Sequence, residues 1–135
     1  MLYSKFLSKL ETSSFGLMLR SMSTNNSQAV FDATAATYDR DRMKLWDVAM
    51  TCQPLFTFGS FEPMLGPIIL DKHAPDWIIC GGESGRDARE MNPQWARDLK
   101  AGASRFGRAF FMKQMTGKKP IPNDLMLREF PKVAA

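Results

Sequence analysis

The chain has 135 residues, 44% hydrophobic and 24% charged, with 18 basic residues against 14 acidic ones and a net charge of +4. That length suits one soluble domain and excludes a complete eight-stranded α/β barrel, which takes about 250 residues. Its two cysteines exclude a disulfide scaffold and cannot alone complete a four-ligand zinc or iron–sulfur site, and no apolar run nears the ~20 residues that span a bilayer.

Residues 1–28 read as a tail, expected to be disordered and to add little to the core. Leu2, Phe6, Leu7 and Leu10 share one helical face, and Lys5, Lys9 and Arg20 supply charge with Glu11 the only acid of residues 1–21. That composition resembles an organelle-targeting presequence. The rival reading makes Met22 the true start and residues 1–21 an upstream extension, which gives a cytoplasmic protein. Residues 21–28 are polar and read as a linker. From Phe31 to Met50 the apolar residues Phe31, Ala35, Tyr38, Leu45 and Ala49 recur near a 3.6-residue period, which predicts a helix. Arg42 interrupts the stripe, and Pro54 closes the segment 29–54.

The pattern then changes to strands. Residues 55–61 are aromatic-rich and end at Glu62-Pro63, where proline holds the preceding residue extended. Residues 76–80 read as a second strand, in which Trp77-Ile78-Ile79-Cys80 is a wholly apolar run stopped by Gly81-Gly82, as expected of a strand covered on both faces. Asn92-Pro93 signals a helix start, and Trp95, Leu99, Ala103 and Phe106 make one apolar stripe over 93–106. Gly107 suits a left-handed helix end, and residues 109–113 form a third strand. Residues 123–130, framed by Pro120, Pro122 and Pro131, read as a short helical turn capped by Asn123. The fold class is therefore α/β: a partial parallel barrel or open sheet over 55–135 with at least one βαβ unit, preceded by a helix.

In such sheets ligands bind beyond the carboxyl ends of the strands. Here those ends carry Glu62, then Gly81, Gly82, Glu83, Ser84 and Gly85, then Lys113 and Gln114, which are the ligand-binding candidates. The glycine loop lacks the Gly-x-x-x-x-Gly-Lys-Ser/Thr spacing of a phosphate loop. Glu83 suits a ligand ammonium or hydroxyl, or an ion pair with Arg86 or Arg89. Glu62 could equally be a solvated strand end, and Lys113 a base, a partner for glutamate or a surface charge. His73 lies in a polar connector and reads as exposed, and Cys80 reads as a packing residue. No catalytic residue and no metal site is assigned.

Residues 86–119 hold nine basic residues and three acidic ones, and such an excess attracts phosphate-bearing partners. Arg97, Lys100, Arg105, Arg108, Lys118 and Lys119 are thus candidates for a nucleic-acid interface. A solvated helix face is the plainer reading of the same charge.

Four ordered segments carry a family resemblance. Phe61-Glu62-Pro63-Met64-Leu65-Gly66-Pro67-Ile68, the run from Asp76 through Gly81-Gly82-Glu83-Ser84-Gly85, Met91-Asn92-Pro93-Gln94-Trp95 and Phe110-Phe111-Met112-Lys113-Gln114 resemble the C-terminal third of an uncharacterised phage and prophage protein family related to radical S-adenosylmethionine (SAM) enzymes, over about residues 58–131. The resemblance implies a partial or complete α/β barrel. For full-length relatives it also implies SAM and an iron–sulfur cluster held by three N-terminal cysteines. Cys52 and Cys80 are not placed like that trio, so no cofactor is expected for this chain. Residues 29–45, with Phe31-Asp32-Ala33-Thr34-Ala35-Ala36-Thr37-Tyr38-Asp39, are similar to the opening helix of class I SAM-dependent methyltransferases, and the glycine-rich cofactor turn of those enzymes does not follow. Two pieces joined around residues 46–55 point to a composite reading frame.

The sequence thus leads to a truncated, catalytically incomplete radical-SAM-like barrel fragment that retains part of a small-ligand site. The alternatives are a nucleic-acid-binding accessory module and a methyltransferase-related protein. A separate chain supplying the missing barrel half is a further expected partner.

Overall fold

The computed structural model describes residues 15–18, 35–52 and 54–133. The helical face expected at residues 2–10, the linker at 21–28 and the first turn expected at 31–34 lie outside the described residues. Helix α1 runs Ala35–Cys52, shortly before Pro54. Strand β1 is Phe15–Met18, β2 Phe56–Phe61, β3 Trp77–Gly81 and β4 Ala109–Gln114, with helix α2, Pro93–Arg105, between the last two. The sheet order is β1-β2-β3-β4. β2, β3 and β4 are parallel, and β1 pairs antiparallel with β2, Phe15 opposite Gly59 and Met18 opposite Phe56. Four residues of the stretch read as a tail therefore have a place in the sheet. No helix of the described residues is long and apolar enough to cross a membrane.

Local signals explain α2. The Asn92 side chain accepts the Gln94 backbone N–H at 2.9 Å, Pro93 occupies the first helical position, and Gly107 follows the end with φ +64°. Those are the two ends at which a helix leaves backbone groups unpaired. Ala96, Leu99 and Ala103 are buried against the sheet, and the small Gly102 brings the helix against Leu70.

Both helices lie on one face of the sheet. The core on that face joins Tyr38 of α1 and Leu99 of α2 to Phe61, Ile78, Cys80 and Phe110. The opposite face carries a second, aromatic core of Phe56, Phe58, Trp77, Ile79 and Phe111. The break in the α1 stripe at Arg42 has a partner: its Nε lies 3.4 Å from Asp71 Oδ2, and its guanidinium stands over the Tyr38 ring. The Tyr38 hydroxyl donates to Asp71 Oδ1 at 3.1 Å, and burial pushes the phenol up to about 12. His73, expected to be exposed, is half-buried and packs edge-on to Trp46 at 5.1 Å, because Asp71 accepts its backbone N–H and draws the connector onto α1.

At the amino ends of the parallel strands one carboxylate makes a clasp. Asp76 Oδ2 accepts the Thr57 backbone N–H (2.9 Å) and hydroxyl (3.0 Å), its Oδ1 takes Arg108 Nη1 at 2.8 Å, and its own N–H donates to Thr57 Oγ1.

The end of the chain differs from expectation. Only Asn123–Leu125 is helical, a single 3-10 turn whose cap position is Pro122, without a side-chain cap. Beyond it the chain straightens, and Arg128 bridges antiparallel to Phe111 on the outer edge of β4. The reason lies in β4, whose outer backbone groups need partners.

Candidate functional site

Side chains alternate along a strand, so Ser60, Glu62, Gly81 and Lys113 fall on the face opposite α1 and α2, at the carboxyl ends of β2, β3 and β4. Glu62 Oε2 accepts from Ser60 Oγ at 2.9 Å and from Lys113 Nζ at 3.2 Å. The two charged side chains are 16% and 29% exposed, sheltered yet reachable by a small solute. A bulge in β4 aims the lysine. Cys80 pairs with Met112 and Gly81 with Gln114, which leaves Lys113 as the extra residue. Gly81 makes room, since a Cβ there would lie 2.4 Å from Glu62 Oε1.

The glycine loop is tied down by backbone. Gly82 N–H donates to the Gln114 carbonyl and Gln114 Nε2 donates to the Gly82 carbonyl, both at 2.9 Å. A Cβ on Gly82 would lie 2.3 Å from the Thr116 nitrogen, so the crossing of these two segments requires glycine. Glu83 turns to Arg89, whose Nε and Nη2 donate to its two oxygens at 2.9 and 2.6 Å. Hydrogen bonding from that guanidinium holds the Glu83 carboxyl down at about 2. Ser84 and Gly85 are exposed at the loop tip. Of the eight candidates, then, Glu62, Gly81 and Lys113 meet in one cluster, Gly82 and Gln114 join beside it, and Glu83 faces its own loop.

Two residues escaped the sequence reading. Ser60 stands two positions before Glu62, and strand alternation alone places it on the same face. Thr116 is 2% exposed, donates to the Arg89 carbonyl at 3.0 Å and accepts the Met91 N–H at 2.9 Å. Nothing local in the sequence marks it, because both partners lie more than twenty residues away.

The six basic candidates are spread along α2, both ends of β4 and the turn after it, and several are already paired. Arg97 pairs with Asp124, and Lys100 donates to the Asp124 carbonyl. Arg108 belongs to the clasp before β4, whereas Lys119, paired with Glu90, follows the other end of that strand. Six strand residues separate those ends by about 20 Å. Arg105 stands over the Phe106 ring, and Lys118 is exposed with φ +59°.

The iron–sulfur cluster that the resemblance implies for full-length relatives does not fit these residues. Only two cysteines are present. Cys80 is fully buried with its sulfur 3.6 Å from Met64 Sδ, and burial pushes its thiol well above the ordinary range, with the Glu62 charge adding. Among the described residues no three His, Cys, Asp or Glu side chains gather as a metal site.

No curated protein and no solved structure matches the chain. Residues 18–128 match the family model described as "Protein of unknown function (DUF5131)", a phage-associated family distantly related to radical SAM proteins. That match takes in both sides of the junction expected at 46–55, the α1 segment and the parallel sheet alike. On a match of this extent, the chain belongs to the DUF5131 family.

Proposed function

We propose that the chain is a catalytically incomplete, radical-SAM-like barrel fragment whose strand-end rim retains part of a small-ligand site. The observation that carries this reading is the Glu62–Lys113 pair with Ser60, drawn from separate strands onto the face opposite α1 and α2. In an α/β barrel that face is the interior, and ligands meet the carboxyl ends of its strands. Glu62 suits a ligand ammonium or hydroxyl, and Lys113 suits a carboxylate or carbonyl oxygen. Gly81 leaves the Glu62 carboxylate room to stand beside Lys113, and Gly82 lets the loop cross the Thr116 backbone. A separate chain supplying further strands would have to displace either β1 or residues 127–129, which border the two sides of the parallel sheet.

The test is an NMR titration of the intact chain with glycine, ethanolamine, acetate and glycerol. Saturable shifts are expected at the Gly81, Gly82 and Gln114 amides for at least one of these, and they are expected to vanish in Glu62→Gln. Shifts absent throughout, or unchanged in that variant, would remove the ligand site. Anaerobic reconstitution with iron and sulfide is expected to give no stoichiometric brown chromophore and, with SAM and reductant, no 5′-deoxyadenosine. Either product would show that the chain is not an incomplete fragment.

A further inference from the structure

A strand at the border of a sheet presents unpaired N–H and C=O groups, and these template association with another chain. In β4 the groups of Phe110 and Met112 face away from β3, the Lys113 carbonyl joins them at the bulge, and residues 127–129 meet them all. Met112 N–H donates to the Leu127 carbonyl at 2.8 Å, and Glu129 N–H donates to the Phe110 carbonyl at 2.8 Å. The others are met by side chains: Glu129 Oε2 accepts Phe110 N–H at 2.9 Å, Arg128 Nε donates to the Met112 carbonyl at 3.3 Å, and Arg128 Nη2 donates to the Lys113 carbonyl at 3.5 Å.

The segment is anchored beyond its backbone. The Glu129 carbonyl accepts Trp77 Nε1 at 2.9 Å, and the Phe130 ring packs on Trp77 and Phe111 at 5.5 and 5.6 Å. The Arg128 guanidinium lies over the Phe111 ring, and buried Pro131 follows, with no N–H to extend the pairing.

We propose that residues 127–131 are a strand-mimicking strap that guards the β4 edge, and that its release turns this edge into a docking surface for a second copy of the chain. The edge is complementary to itself, which makes a second copy its occupant in this proposal. Antiparallel pairing about a two-fold axis at Phe111 sets Phe110 opposite Met112 of the other copy, and such a pair exchanges both of its N–H···O bonds. The Phe110 and Met112 groups freed by the strap are then the four that the dimer consumes, and the Lys113 carbonyl stays open to water at the bulge. The Ala109-Phe110-Phe111-Met112 run has neither charge nor proline to oppose it.

The experiment is light scattering and site-resolved hydrogen exchange on the intact chain and on the full-length triple variant Arg128→Met, Glu129→Ala, Phe130→Ala. The intact chain is expected to be monomeric. The variant is expected to double its mass with rising concentration, while its Phe110 and Met112 amides stay slow to exchange in the dimer. A folded variant that remains monomeric, or an intact chain already paired through β4, overturns the proposal. If the variant loses its far-UV spectrum, the intact chain in low denaturant decides. Its Phe110, Met112 and Glu129 amides are then expected to open together, with mass rising, while Ile78 and Ile79 stay protected. Opening of all five in one step, or opening without association, overturns the proposal.

Discussion

Trp77→Ala is expected to lower the stability of the chain by about 3–5 kcal/mol, against a total of roughly 5–15 kcal/mol for a domain. Trp77 opens β3, the middle parallel strand, and is fully buried. Its indole meets Phe56, Phe111 and Phe130 with ring centroids 6.1, 5.9 and 5.5 Å away, and its N–H holds the Glu129 carbonyl. Truncation leaves a cavity walled by three rings that belong to two strands and the strap, so none can close it alone. It also leaves a carbonyl without its donor. Trp77→Phe keeps much of the ring volume and loses the hydrogen bond, a smaller effect of about 1 kcal/mol plus the residual gap. Guanidinium unfolding of the three proteins measures both. A loss within about 0.5 kcal/mol for the alanine variant, the size of an ordinary surface change, would show that the second core is dispensable.

Gly82→Ala and Gly81→Ala, neighbouring and chemically identical changes, are expected to separate stability from binding. At position 82 the new methyl meets backbone, the Thr116 nitrogen at 2.3 Å and the Met115 carbonyl carbon at 2.8 Å. Neither can swing aside, so the loop must lift and lose the Gly82–Gln114 bonds, at about 1–3 kcal/mol or more. At position 81 the atoms nearest the methyl all belong to the Glu62 side chain, which can rotate away from Lys113. Gly81→Ala is therefore expected to melt within a few degrees of the parent and to lose the ligand-dependent amide shifts. Denaturation midpoints and the NMR titration, run on both variants, check the pair. Equal destabilisation, or retained shifts in Gly81→Ala, would refute the assignment of these two glycines.

What could be read in advance was what depends on near neighbours in the chain. Asn92-Pro93 and Gly107 mark the ends of α2 because capping is a local event. The aromatic-rich and apolar runs mark β2, β3 and β4 within a residue or two because most positions of a strand covered on both faces are buried. Once those strands are parallel, Glu62 and Lys113 must share an end of the sheet, and their proximity follows from topology. The strap was misread for a matching reason. Asn123 between prolines carries the local signature of a capped turn, whereas the force that straightens residues 126–129 comes from Phe110 and Met112, far back in the chain. The same holds for Phe15–Met18, whose only reason to be a strand is the free side of β2. Glu83 had Arg86 and Arg89 within reach, and the turn of the loop, invisible in composition, chose Arg89.

The clasp at Asp76 bears on how this sheet can change over time. Thr57, Asp76 and Arg108 stand at the starts of the three parallel strands, so a single carboxylate sets where each begins. With alignment fixed at that margin, loops at the opposite margin can lengthen, shorten or exchange residues without shifting one strand past another. Members of the family could in this way remodel their strand-end loops while the sheet beneath keeps its alignment.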